Sequence, residues 1–314
     1  MNLDEILHIA VIGAGLMGHG IAQEFATAGY TVHLHDITDE KLATARAQIE
    51  KNLHLLAENG IITAEKIAPT LQRIQTTTDL AVVTENADFV VEAVTENLPL
   101  KQQIFAELDA MCQPHTILAS NTTALMPSQI GAQAKRQDKI LNTHYFNPPY
   151  LIPLVELIRS PKTSDETVSV TAALLSRVGK TPAILERESL GFVGPRLQAA
   201  LIREAIFIVE QGIASAETVD IVVRNSFGRR LSVAGPFEVF ELAGWDLVLA
   251  AFEELYRELN SSTEINPLLR EMVEAGKLGV KSQEGFYQWD DENLRALRDR
   301  MNRALIQQAK ADSI

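Results

Sequence analysis

Short β-branched apolar runs alternate with longer stretches of helical period through the first half of the chain, the pattern of parallel βαβ units. HIAVIG (8–13) predicts a strand and 16–28 the helix after it. TVHLHD (31–36) predicts the second strand, followed by a long helical period from 40 to about 73. DFVVEAV (88–94) reads as a buried strand, after which Pro99 opens a helix to about 111. TILAS (116–120), KILNTHYF (139–146) and LIPLVELI (151–158) predict three more strands, 168–178 a helix, and TPAILERE (181–188) a last strand. From Gly191 the pattern turns almost wholly helical, with helices expected over 192–212, ended by Gly212, and over 215–226, 236–242, 245–259, 264–275 and 290–309. The chain therefore reads as an α/β domain over 1–187 followed by an all-α domain over 188–314, the boundary lying where the charged ERES stretch meets Gly191.

The composition narrows what such a chain does. Its 314 residues, 46% of them hydrophobic, are enough for two domains with substantial cores. A formal charge of −13 opposes any general attraction to polyphosphate backbones, and no run approaches the roughly 20 apolar residues of a membrane helix. Nucleic acid and membrane are thus excluded as expected partners. The first residues carry acids where a secretory leader is basic, and the single cysteine, Cys112, cannot form an internal disulfide, so a cytoplasmic location is expected. An anionic cofactor would need donors arranged locally, because the global field repels it.

Gly13-Ala14-Gly15-Leu16-Met17-Gly18 follows a predicted strand and opens a predicted helix, the context that makes G-x-G-x-x-G a Rossmann-type dinucleotide fingerprint. The first glycine permits the tight turn, the second lets backbone approach a pyrophosphate, and the third lets helix and strand pack closely, with the helix N-terminus facing the phosphates. Asp36 ends the second strand about 20 residues on, where a carboxylate bonds the ribose hydroxyls and repels a 2′-phosphate. NAD is expected over NADP. FAD uses the same fingerprint, but no second flavin-binding segment is visible. The histidines show no paired metal-ligand spacing, and no metal is expected.

Further on, ASNTTALMPSQI (119–130), THYFNPPYLIPLVELI (143–158), GPFEVFELAGWDLVL (235–249) and KLGVKSQEGFYQW (277–289) complete a pattern. With the glycine motif and EAVTENLPLKQQIF (92–105), it resembles the L-3-hydroxyacyl-CoA dehydrogenase family over essentially the whole chain. His144 ends a strand, Asn147-Pro148-Pro149 forces a turn, and a returning strand could bring Glu156, costly to bury alone, back to the imidazole. An imidazole held by a carboxylate is an oriented general base. The resemblance implies His144 as base in oxidation, Glu156 as its orienter, and Ser120 as a hydroxyl donor to the substrate oxygen. A serine after a strand is equally a helix cap. The resemblance further implies Glu96, Lys101 and Asn147 at the nicotinamide half of the cofactor. Glu96 and Lys101 also suit a plain solvated helix start, with Asn97 as its cap.

Two departures leave the substrate open. The family's linker to the helical domain carries an asparagine where this chain has Pro195, which donates nothing. Arg230, in Gly228-Arg229-Arg230-Leu231, resembles relatives such as gulonate or carnitine dehydrogenases, where a guanidinium holds a free carboxylate. Residues 51–74 instead resemble the helical arm of short hydroxybutyryl-CoA dehydrogenases, which favours a thioester. The expected function is NAD-dependent oxidoreduction at the 3-position of a short acyl-CoA. The alternatives are a free 3-hydroxy acid, or a lambda-crystallin-like protein that binds NAD with little turnover. The apolar C-terminal half predicts a homodimer, as in related dehydrogenases.

Overall fold

The computed structural model describes residues 2–312. They divide into two compact units, one running to Pro195 and resuming at Arg300, the other Arg196–Asp299. The first unit holds β1 (His8–Ile12), α1 (Gly18–Thr27), β2 (Thr31–His35), α2 (Asp39–Glu58), α3 (Ile67–Arg73), β3 (Ile74–Thr77), α4 (Leu80–Thr84), β4 (Phe89–Glu92), α5 (Leu98–Met111) and β5 (Ile117–Ser120). It continues with α6 (Pro127–Ile130), β6 (Ile140–Tyr145), β7 (Leu154–Arg159), α7 (Asp165–Arg177) and β8 (Thr181–Leu185). One sheet takes all eight strands in the order β3-β2-β1-β4-β5-β6-β7-β8. Its pairs are parallel except β6 with β7. The strand order reverses between β1 and β4, and an open parallel sheet binds ligands outside the carboxyl ends of its strands at such a switch point.

The local chemistry explains the elements. Strands β4 and β5 are buried at every position, as parallel strands covered on both faces must be. Side chains of Thr38, Asn97 and Ser164 accept backbone N–H groups at the starts of α2, α5 and α7, satisfying donors that a helix start leaves without partners. Asn97 is therefore a cap.

The structure also departs from the pattern. Helix α2 stops at Glu58, Gly60 adopts a φ of +72°, and the expected continuous helix to about 73 becomes the separate α3 and then the edge strand β3. IQTT has no apolar run to announce a strand, because an edge strand is half solvated. Strand β7 starts at Leu154 rather than 151, since residues 148–152 form a turn in which Leu151 and Ile152 N–H both donate to the Pro148 carbonyl.

The linker starts α8 (Gly194–Glu210), and the division falls after Pro195 rather than near 187–191 because Val193 and Gly194 are bonded into β7. The second unit contains the rest of α8, α9 (Ala216–Asn225), α10 (Phe227–Leu231), α11 (Pro236–Ala243), α12 (Trp245–Glu258) and α13 (Pro267–Glu274). The segment around Arg230, given no helix by its period, is the short α10. The last helix, α14 (Asp291–Ala311), returns to the first unit from Arg300, where Ile306 packs with Leu56 and Leu151. Within the second unit Ile206 and Val248 are buried, while Phe237, Leu242 and Leu247 are 76%, 89% and 66% exposed.

Candidate functional site

The three glycines of the fingerprint meet different surroundings. Gly13 has a φ of +102°, and a Cβ there would lie 2.7 Å from the Ala93 carbonyl oxygen on the neighbouring chain segment after β4. A Cβ on Gly18 would fall 1.7 Å from the Gly13 oxygen, so α1 can pack on the loop only with hydrogen in that place. A Cβ on Gly15 would meet nothing within 4 Å. Its surroundings are space that the protein does not fill, at the start of a helix, the end that favours an anion. Leu16, 67% exposed, and the half-buried Met17 complete the turn into α1. The loop is braced from below by His19, whose Nδ1 lies 2.8 Å from the Gly15 carbonyl oxygen. A carbonyl only accepts, so Nδ1 carries the proton, and burial holds the ring's pKa below its ordinary value.

Asp36 sits at the end of β2 with one oxygen accepting the Ala14 N–H at 2.8 Å and the other the Ile37 N–H at 2.8 Å. Burial raises its pKa, but those amides and the Lys41 ammonium 3.3 Å away outweigh burial and hold it below the usual range. The carboxylate is ionised at neutral pH. These residues fit a dinucleotide: open space beside Gly15, helix-start amides and a fixed anion just past the end of β2. NAD is expected to exceed NADP in kcat/KM by at least about tenfold, about 1.4 kcal/mol. Asp36→Ala should narrow that ratio while lowering Tm, because Ala14 loses its acceptor. Equal use of both cofactors by the unaltered protein would refute the assignment.

Between β4 and β5 lies a buried polar network. The strand register sets Glu92 opposite Ser120. One Glu92 oxygen accepts the Lys101 ammonium and the Val94 N–H, each at 2.7 Å, and the other accepts the Ser120 hydroxyl at 2.6 Å. Glu92, Lys101 and Ser120 are at most 1% exposed. Leaving either charge alone at that depth would cost about 3–5 kcal/mol. The Ser120 hydroxyl donates to a carboxylate and has no exposed surface, so it ties two strand ends together. Lys101 likewise is no solvated helix-start residue. It lies 3.5 Å from Glu96, whose carboxylate accepts the Thr122 hydroxyl and the Thr123 and Ala124 N–H groups, fixing the loop after β5.

Strands β6 and β7 run antiparallel with His144 directly opposite Glu156. His144 Nδ1 lies 2.8 Å from one Glu156 oxygen. The other oxygen accepts the N–H groups of Val193 at 3.0 Å and Gly194 at 2.8 Å, which places the carboxylate at the start of α8, the favourable end for an anion. Burial pushes the Glu156 pKa up, but the His144 ring and the two amides pull it below the ordinary carboxyl range. Phe146 and Phe192 pack on the imidazole with ring centroids at 4.6 and 5.5 Å. Phe192, buried with a φ of +49°, holds a backbone conformation unfavourable for a bulky residue, a strain that the two amides bonded to Glu156 offset. In the neutral ring, an Nδ1–H that donates to Glu156 leaves the lone pair on Nε2.

Residues 8–189 match the family described as 3-hydroxyacyl-CoA dehydrogenase, NAD binding domain, and residues 191–289 match its C-terminal domain. The chain belongs to the 3-hydroxyacyl-CoA dehydrogenase family. As a member of that family it is an NAD-dependent oxidoreductase. A probable 3-hydroxybutyryl-CoA dehydrogenase of Bacillus subtilis is 38% identical over 91% of this chain and 99% of its own. A solved (S)-3-hydroxybutyryl-CoA dehydrogenase of Ralstonia eutropha superimposes with a TM-score of 0.76 at 34% identity, covering 91% and 100% of the two chains. A 5-formyl-3-hydroxy-2-methylpyridine 4-carboxylate 5-dehydrogenase of Mesorhizobium japonicum is 30% identical over 96% of both chains. A solved 5-dehydrogenase acting on the same compound, an NAD+-dependent dismutase, superimposes with a TM-score of 0.91 at 29% identity, covering 98% and 99%.

In this member of the 3-hydroxyacyl-CoA dehydrogenase family, Asn147 is exposed at the head of the turn after His144, and Arg230 is exposed on α10 of the second unit. Sequence reasoning missed Glu92, His19 and the two linker amides. Glu92 carried a legible signal, an acid closing a wholly buried strand. His19 carried only its place one helical turn beyond Gly15, and backbone amides carry none.

Proposed function

We propose that this enzyme interconverts a short 3-hydroxyacyl-CoA and its 3-oxoacyl-CoA, with His144 moving the proton. The observation that carries the reading is the His144–Glu156 pair, an imidazole with Nδ1 fixed and Nε2 free at the carboxyl end of the sheet. His144 takes the hydroxyl proton in oxidation and returns it in reduction, and Glu156 sets the ring's tautomer and stabilises the charge it gains. NAD, when bound, supplies the hydride acceptor. Gly13, Gly15, Leu16, Met17 and Gly18 would hold its pyrophosphate, Asp36 its adenosine ribose, and Glu96 and Asn147 its nicotinamide side, with Lys101 and Ser120 acting through Glu92 and Glu96. Turnover of a 3-hydroxybutyryl thioester should exceed that of free 3-hydroxybutyrate, gulonate and carnitine by at least about tenfold in kcat/KM, a transition-state difference of about 1.4 kcal/mol.

A second reading is a free carboxylic acid, held by Arg230. It is favoured by the C-terminal helix: the family match ends at residue 289, while the pyridine-carboxylate dehydrogenase fold covers 98% of the chain. A pyridine 4-carboxylate or hydroxy acid turned over faster than the thioester, with the gain lost in Arg230→Ala, would establish it.

We also infer that the helical unit is the surface for a second copy. Phe237, Leu242 and Leu247 expose large apolar side chains there, and monomers rarely leave such patches uncovered. A dimer is expected by sedimentation at micromolar concentration, and a monomer would contradict it. No helix of the described residues is long and apolar enough to cross a membrane. Burial pushes the Cys112 thiol up to about 11, so it stays protonated and unreactive.

A further inference from the structure

Lys180, at the start of β8, is 7% exposed and takes no part in the chemistry described above. Its ammonium lies 2.5 Å from a Glu24 oxygen of α1, 2.5 Å from the Pro149 carbonyl oxygen and 3.4 Å from that of Ile152. Both carbonyls belong to the turn that follows His144. Glu24 lies one helical turn beyond Gly20, and a Cβ on Gly20 would sit 3.1 Å from the Pro149 ring, so the same face of α1 meets the turn twice, once by packing and once by charge. Helix α1 is also the element whose N-terminus carries the glycine fingerprint. The turn and α1 are far apart in sequence and lie on strands three places apart in the sheet, so no ladder hydrogen bond links them.

We propose that Lys180 is a positioning residue that bolts the cofactor helix to the turn after His144, so that the dinucleotide's support and the catalytic base keep one geometry. Three properties fit this. An ammonium has three protons, and the site supplies three acceptors. The charge is matched by one half-buried carboxylate, Glu24, whose pKa burial raises against the pull of Lys180. The two carbonyls held lie within the same turn whose Pro148 carbonyl receives the Leu151 and Ile152 N–H groups. A displacement of about 1 Å between reacting groups costs about 10²-fold in rate.

The inference rests on His144 being the base, and the test keeps the two apart. Lys180→Met alone strands Glu24 and should lower Tm sharply, so the informative protein is Lys180→Met with Glu24→Gln, which removes both charges. Gly20→Ala is a second, independent pressure on the same seam that leaves the ion pair intact. For the double variant the expected results are a Tm near that of the unaltered protein, NADH affinity within about threefold, faster amide exchange at Leu151 and Ile152 in the cofactor-free protein, and kcat lower by about 10- to 100-fold. Gly20→Ala should lower kcat in the same direction, because its methyl forces the Pro149 ring to shift. A double variant with restored Tm, unaltered exchange and full kcat would overturn the proposal and leave Lys180 a folding residue. If His144→Gln, measured alongside, keeps full turnover, the base assignment fails instead; the exchange result then still decides whether Lys180 holds the turn.

Discussion

His144→Gln is expected to lower kcat by about 10²–10⁴-fold, the usual worth of general acid–base help, while NADH affinity changes by less than about threefold. Glutamine keeps a donor toward Glu156 and fills much of the space between Phe146 and Phe192, so the loss reports the missing base and not a collapsed pocket. Glu156→Gln should reproduce much of the loss, because an amide cannot stabilise the imidazolium as a carboxylate does. Glu156 also predicts a pH effect on stability. Its folded-state pKa lies below the ordinary 4.5, so its contribution is complete above that value and lost as pH falls through the lower folded value. The Tm of the unaltered protein should therefore fall on acidification below about pH 5 more steeply than that of Glu156→Gln. Full turnover in His144→Gln would mean that the proton leaves by another group.

The second large effect separates two glycines that look alike in the motif. Gly18→Ala places a methyl 1.7 Å from the Gly13 oxygen, a backbone atom that cannot swing away. It should cost about 1–3 kcal/mol of stability or more and weaken NADH binding over tenfold, since the loop must move. Gly15→Ala meets no protein atom within 4 Å and has no positive φ, so Tm should hold or rise by the small gain of removing a glycine from the unfolded chain. NADH affinity should nevertheless fall by about tenfold or more, because the methyl enters the space at the helix start. Calorimetry and fluorescence titration of the two variants check this directly. Undiminished affinity in Gly15→Ala would place the pyrophosphate elsewhere.

How much was legible in advance follows from the range of the forces involved. The parallel core, the glycine loop and Asp36 were readable because each depends on neighbours within one βαβ unit: β-branched runs make buried strands, and a glycine motif only works between a strand and a helix. His144 with Glu156 was readable as a possibility, since a proline-rich turn between two apolar strands brings the second back beside the first. That they stand directly opposite was decided by the β6–β7 register, which hydrogen bonding fixes and residue spacing does not. The long-range partners of Ser120 and Lys101 were not legible for the same reason: the β4–β5 pairing sets Ser120 against Glu92, and Lys101 reaches that carboxylate from α5. Pro195 read as a lost donor, whereas the fold uses the backbone amides just before it to hold Glu156, a role any residue type but proline can fill at those positions. Sequence by itself thus determined the fold class and the glycine loop between strand and helix, and it named His144 for the base proposed above. The tertiary structure alone decided which buried charges pair, because pairing at low dielectric depends on angstrom distances between elements that are remote along the chain.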